Sequence, residues 1–192
     1  MKTDIILAGV GGQGILSIAA AIGTAAVQSN LYLKQSEVHG MSQRGGDVQS
    51  HLRISDKPIA SDLIPLGKGD IIISVEPMEA LRYLPYLSKD GWIVTNTTPF
   101  INIPNYPEQE KLMETLKGQK NVIAIDADAI AKDAGSARSA NMVILGAASA
   151  YLNMPIEVIE KAIVTLFERK GQDIVDANLK AFNAGREAAK VK

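Results

Sequence analysis

The 192-residue chain contains no cysteine. That absence excludes a disulfide framework, a thiolate nucleophile, a thiolate zinc site and any cysteine-bound iron–sulfur cluster. Histidine is almost missing as well. His39 and His51 are the only two, too few for a histidine-rich metal site. Redox chemistry, if this protein takes part in any, therefore rests on a bound cofactor or on another chain. An excess of charge of either sign is also lacking: 20 basic against 21 acidic residues give a net charge of −1. Such a balance provides no electrostatic footprint for a nucleic acid or an anionic membrane. Charge is absent altogether from residues 5–33, a run long enough to raise the question of a membrane span. Gly9, Gly11, Gly12, Gln13 and Gly14 interrupt it, and Gln28, Ser29 and Asn30 follow. Asp4 stands where a secretory signal needs a basic region. A buried strand, a glycine turn and a buried helix account for the same residues, so the expectation is a cytoplasmic chain with no membrane and no nucleic-acid partner.

What is present reads as alternating strands and helices. A short apolar run, Ile5-Ile6-Leu7-Ala8, suits a strand buried on both faces. Residues 15–28 read as a helix whose small side chains (Ala19, Ala20, Ala21, Gly23, Ala25, Ala26) permit close packing on a sheet. Residues 31–34 read as a second short strand, and the polar, glycine-bearing stretch 37–47 as a loop. Residues 48–54 alternate, Val48, Ser50, Leu52 and Ile54 against Gln49, His51 and Arg53, which predicts a strand with one polar face. Further strands are expected at 70–75, 92–95 and 122–125. Helices are expected from Glu76-Pro77 to about residue 87, at 108–117, and over 139–152, 155–169 and 173–189, with proline-rich 99–107 as loop. This alternation implies one Rossmann-like, three-layer α/β domain spanning 1–192, with a mostly parallel sheet and C-terminal helices.

Two loops concentrate the chemistry. Gly9-Val10-Gly11-Gly12-Gln13-Gly14 lies directly after the first strand and before the first helix, the context that gives G-x-G-x-x-G its meaning. Gly9 permits the tight turn, Gly11 permits close backbone approach, and Gly14 lets the helix lie against the strand. Free amides at the helix start then favour an anion. The motif admits three uses: a tight turn alone, contact with a phosphate or pantetheine, or a full dinucleotide. The last requires an acid at the end of the second strand, where Lys34-Gln35-Ser36 stands and Glu37 comes slightly late. The second loop, Glu37 to Asp47, holds His39, Ser42, Gln43, Arg44 and Gly45 among glycines that free backbone amides for an anion-binding concavity. Arg44 is suited to grip a carboxylate or phosphate with paired donors; a subunit contact is the other use of this loop. His51 is expected to be structural. Asp126 and Asp128 close a strand, where an acid can bind ribose or a metal, with helix capping by one of them the expected use. Ser74 and Thr95-Asn96-Thr97-Thr98 lie beyond strand carboxyl ends, the edge where open α/β sheets bind ligands. The small residues Gly146, Ala147, Ala148 and Ala150 suit close helix packing.

Taken together, Gly9 to Leu16, Glu37 to Gly46 and Arg53-Ile54-Ser55 resemble the gamma-type domain of 2-oxoacid:ferredoxin oxidoreductases. The His39-Gly40-Met41-Ser42-Gln43-Arg44-Gly45-Gly46 form resembles the smaller, beta subunit of the indolepyruvate branch. Asn141 to Ala147, and Asn178 with Ala181-Phe182-Asn183-Ala184-Gly185, fit the same family. The resemblance implies a larger partner subunit carrying thiamine diphosphate and iron–sulfur clusters. Coenzyme A is the implied acyl acceptor, ferredoxin the electron acceptor, and an aryl pyruvate is oxidatively decarboxylated to an aryl-acetyl-CoA. It assigns no catalytic residue to this chain. Gly9, Gly11, Gly12, Gln13 and Gly14, with His39, Ser42, Gln43, Arg44 and Gly45, are the candidates for contact with coenzyme A or incoming substrate. The competing expectation is a free-standing nucleotide-binding protein, such as a small NAD-linked dehydrogenase or a ligand sensor.

Overall fold

The computed structural model describes residues 1–40 and 45–190. Among these, six strands form one sheet: β1 (Lys2–Val10), β2 (Tyr32–His39), β3 (Asp47–Ser55), β4 (Gly69–Ser74), β5 (Leu87–Asn96) and β6 (Val122–Ile125). Their order is β2-β3-β1-β4-β5-β6. β1, β4, β5 and β6 run parallel, while β3 is antiparallel to both β1 and β2. The helices are α1 (Ile15–Gln28), α2 (Pro77–Arg82), α3 (Gln109–Lys117), α4 (Ala127–Asp133), α5 (Ala140–Ala148), α6 (Ile156–Phe167) and α7 (Gln172–Lys190).

Two apolar layers hold the sheet. Ile5, Leu7, Leu52, Ile54, Ile71 and Ile73 face α1 and the C-terminal helices. Ile6, Ala8, Ile72 and Ile93 face Ala80 of α2 and Leu116 of α3. β1 and β4 are thus buried on both sides, which is why they read as unbroken apolar runs. β1 is followed by a helix on one face and β4 by a helix on the other. Their carboxyl ends therefore flank the crevice at which open α/β sheets receive ligands.

The sequence-derived expectations for α1 and β6 match the structure to the residue. The expected loop 37–47 does not. Glu37, Val38 and His39 extend β2, and Asp47 opens β3, because their backbones complete an antiparallel hairpin in which Glu37 pairs with Ser50 and His39 with Val48. The polar face of β3 is also covered. Segment 56–68 roofs it: the Ile64 amide donates to His51 Nδ1 at 2.9 Å, and Arg53 Nη1 donates to the carbonyls of Ser61 and Leu63. His51 is buried against the edge of the Tyr86 ring, and burial lowers its pKa below 6.5. Arg53 in turn meets Asp4 through Nε (2.8 Å) and Nη2 (3.1 Å).

α5 and α7 cross with their backbones in contact. A Cβ placed on Gly146 would stand 1.9 Å from the Phe182 carbonyl oxygen, and one on Gly185 would stand 1.9 Å from that of Val143. Asn178, Ala181 and Phe182 are buried on the α7 side of this crossing, and Met142 to Ala148 on the α5 side.

Candidate functional site

The glycine turn joins β1 to α1 at the crevice. Gly9 ends the tight part of the strand: a side chain there would meet Val75 Cγ2 at 2.5 Å and Ile15 Cδ1 at 2.7 Å. Gly14 caps α1 in the left-handed conformation (φ 81°) and offers no side chain to the first-turn amides. The first bonds accepted within the helix start come from the Ser17 and Ile18 amides to the Gly14 carbonyl. The amides of Ile15 and Leu16 precede them, and no acidic residue lies in the first turn. This is the arrangement in which a helix N-terminus favours an external anion. Gln13 serves the turn itself, its Oε1 accepting from the Val10 amide at 2.9 Å. Asn141 of α5 steadies the cap from the other side, donating to the Gly14 carbonyl at 3.1 Å.

The second loop is bonded to the first. The Gly11 amide donates to the Gly46 carbonyl at 2.8 Å, and the Gly45 amide returns to the Gly11 carbonyl at 3.4 Å. Gly45 also receives Asn102 of the 97–107 segment on its carbonyl, at 2.6 Å. The structure thus brings Gly9, Gly11, Gly12, Gln13, Gly14 and Gly45 together at one end of the sheet. Ser42, Gln43, Arg44 and the His39 side chain lie outside the described residues.

Two recesses flank the turn. One, of about 280 Å³, is bordered by Gly12, Gly14, Leu16 and Val48. The other, of about 390 Å³, opens into the crevice between Gly12, Gln13, Asn96, Asp128, Arg138 and Asn141. Arg138 was not legible as a site residue, because only the return of the chain from α4 to α5 carries this exposed cation to the glycine turn. Asn96 and Asp128 are joined at 2.7 Å, and Asn96 Oδ1 accepts from the amides of Ala127 and Thr98. Asp126 caps α4 as expected, its Oδ1 accepting from the Ala129 amide. Ser74 is likewise committed locally, bonded to the Glu76 backbone.

Buried carboxylates on the opposite side of the crevice escaped the sequence reading. Glu76 caps α2 by accepting from the Glu79 amide, and its second oxygen accepts from the Phe100 amide and the Tyr106 hydroxyl. It pins the 97–107 segment beside the two loops. Glu79 is also buried; desolvation raises its pKa, opposed by a two-point pair with Arg82 at 2.8 and 3.2 Å. Burial raises the pKa of Tyr83 and Tyr106 as well, so both phenols stay protonated donors, Tyr83 to Asp47 and Tyr106 to Glu76. Every one of these groups has an internal partner, which marks them as supports. Among the described residues, no group of three or more acidic, histidine or cysteine side chains is arranged to hold a metal ion.

The topology bears on the nucleotide-binding alternative. A dinucleotide's ribose is gripped by an acid at the carboxyl end of the parallel strand next to β1. Here antiparallel β3 occupies that place, and β2 lies one strand further out. The expected partner of the glycine turn in a dehydrogenase is displaced by a strand spacing of about 4.8 Å.

A mostly parallel sheet with a glycine turn at its switch point and an arginine across the crevice defines a Rossmann-like α/β domain. The chain belongs to the pyruvate ferredoxin/flavodoxin oxidoreductase family, whose profile matches residues 4–188. It is 39% identical to the indolepyruvate oxidoreductase subunit IorB of Archaeoglobus fulgidus, over 98% of this chain and 96% of that protein. The crystal structure of the keto/oxoacid ferredoxin oxidoreductase gamma subunit of Geobacter sulfurreducens superposes with a TM-score of 0.72 at 26% identity, covering 99% of each chain. The fold also matches part of the 2-oxoglutarate:ferredoxin oxidoreductase of Magnetococcus marinus, which was solved with 2-oxoglutarate, coenzyme A and succinyl-CoA. There the TM-score is 0.77 at 22% identity, over all of this chain and 31% of the other. Among the described residues no helix is long and apolar enough to cross a membrane.

Proposed function

We propose that this chain is the accessory subunit of a 2-oxoacid:ferredoxin oxidoreductase of the indolepyruvate branch, folded as one gamma-type domain over 1–192. The observation that carries this reading is the near full-length similarity to an indolepyruvate oxidoreductase subunit, together with the glycine turn at the crevice. The complete lack of cysteine means that iron–sulfur clusters do not fit this chain. They belong, with thiamine diphosphate, to a larger catalytic subunit that passes electrons to ferredoxin in the cytoplasm. Exposed Leu16, Val38, Phe100 and Ile101 stand around the two bonded loops, an apolar rim suited to such a partner. The role of this chain's own residues is to bind and orient. The first-turn amides of α1 and the Arg138 guanidinium fit the phosphates of coenzyme A, and Arg44 grips coenzyme A or the 2-oxoacid as it arrives. No catalytic residue falls on this chain.

The test is Arg44→Ala in the assembled enzyme. The expected result is a raised KM for coenzyme A or the 2-oxoacid with the complex intact. Unchanged kinetics remove Arg44 from the site. The subunit assignment itself fails if the purified chain alone takes up NAD or FAD at micromolar affinity and turns over a substrate. It stands if the chain is inert alone and co-purifies with a larger, cysteine-rich subunit.

A further inference from the structure

Another recess lies away from the glycine turn. About 520 Å³ in volume, it lies between the segment that follows α5 and the last turns of α7. One wall includes Asn153, whose side chain donates to Thr3 Oγ1 at 3.1 Å, beside the first residues of β1. The recess therefore sits at the amino end of the sheet, the length of β1, on the order of 25 Å, from the crevice.

Its lining is apolar on one side and cationic on the other. Tyr151, Met154 and Ile156 form the apolar side. The Tyr151 ring is stacked on Trp92 at 4.4 Å, which fixes it as a rigid wall, and burial raises its hydroxyl pKa so that it stays a neutral donor. Its hydroxyl has no hydrogen-bond partner among the described residues. Arg186 supplies the cation. Its Nη1 donates to Asn183 Oδ1 at 3.1 Å, and among the described residues it forms no ion pair with a carboxylate. Lys190, also at the mouth, shares its charge with exposed Glu187 at 2.9 Å. The volume lies in the range of small-molecule sites, and such sites are largely apolar with a few placed polar groups.

We infer that this recess is a second ligand site, for a small aromatic carboxylate. The ring lies along Tyr151 and Met154, and the carboxylate is held by the paired donors of Arg186, which are suited to a planar two-oxygen anion. A phosphate lacks the apolar half of this match, and an aromatic amine is repelled by the guanidinium. The site is independent of the crevice, separated from it by the sheet's length, and its occupancy does not depend on the subunit assignment.

The test is methyl NMR on the full chain labelled at its six methionines, titrated with sodium phenylacetate. The expected result is a saturable shift of the Met154 methyl in the millimolar range, absent with benzylamine and with inorganic phosphate. Arg186→Gln is expected to weaken binding about tenfold, the loss of one charge-assisted hydrogen bond, and Arg186→Lys to recover part of it. Ala150→Phe places bulk at the mouth from an exposed position, outside the core, and is expected to abolish the shift while the fold is retained. The inference is overturned if Met154 does not move with phenylacetate, if phosphate moves it equally, or if both variants bind as the unaltered chain does.

Discussion

Replacing Gly146 with alanine should unfold this protein at a markedly lower temperature, although the same change in an open helix stabilises. Gly→Ala in a solvent-facing helix interior gains about 1 kcal/mol from reduced chain entropy. At Gly146 the added methyl would stand 1.9 Å from the Phe182 carbonyl oxygen, where real Cβ contacts do not fall below 3.0 Å. α5 and α7 must move apart by about 1 Å, and that separation opens the packing of Met142, Val143 and Phe182, all fully buried. Overpacking of this kind costs about 1–3 kcal/mol and more where backbone must yield. Because backbone must yield here, the cost is about 3–4 kcal/mol, and the helix-propensity gain of about 1 kcal/mol leaves a net loss of about 2–3 kcal/mol. For a chain of this size, about 2–4 °C of Tm accompanies each kcal/mol, so the midpoint should fall by roughly 5–10 °C. Differential scanning calorimetry on the purified chain measures it. Gly185→Ala, 1.9 Å from the Val143 carbonyl, should behave alike. The double variant should lose less than the summed singles, since one separation relieves both contacts. Gly23→Ala is the control, because its nearest neighbour is only the end of the Leu33 side chain, at 3.1 Å. A Gly146→Ala variant whose midpoint equals or exceeds that of the parent refutes the backbone-contact account.

Three further outcomes are expected. His51 is held neutral below its ordinary pKa of 6.5 by burial, so the unfolded chain binds its proton first as pH falls. Stability should therefore drop from pH 6.5 downward until the folded value is reached, by up to about 1.4 kcal/mol per pH unit. Urea unfolding of the parent and of His51→Gln at about pH 7.5 and 5.5 should show the smaller pH loss in the variant; equal losses exclude the histidine. Asp4→Asn leaves Arg53 beneath segment 56–68 without its carboxylate. A loss of about 3 kcal/mol in urea unfolding is expected for this nearly buried pair, and a loss under about 1 kcal/mol would place it among surface bridges. Gly14→Ala forces a left-handed cap onto a residue with a side chain, with Cβ 2.5 Å from Asn141 Nδ2. It should lower the midpoint and, in the assembled enzyme, raise the KM for coenzyme A; a change in stability alone would detach the turn from ligand binding.

The parallel part of the fold was legible because burial on both faces leaves an unambiguous mark: Ile71-Ile72-Ile73 and Val122 to Ile125 have few other uses. The hairpin was hidden because its pairing is polar. Glu37 and His39 satisfy β2 through backbone partners on β3, and side-chain pattern carries no trace of that. His51 was expected to be structural and is, but its roof was not legible, because alternation reports only that one face is polar, not that a distant segment covers it. The site divides in the same way. The glycine turn is local and was readable in full, down to its place between β1 and α1. Arg138, Asn141 and buried Glu76 reach the crevice only through chain returns of many residues, which no spacing rule anticipates.

The two hydrogen bonds between Gly11 and the Gly45-Gly46 pair have a consequence for genetics. They join the loops through peptide N–H and C=O groups, and every residue that contributes one is a glycine. Only proline, which lacks the amide hydrogen, deletes such a bond by codon change, and it fixes the backbone at the same time. A side-chain scan at these positions registers only the strain of an added methyl and is blind to the contact itself. Mutational tolerance and importance are decoupled here, and exchange of a single amide for an ester by chemical synthesis is the perturbation that addresses the link. Any mutational map of this protein will record the junction by what the glycines exclude rather than by what they do.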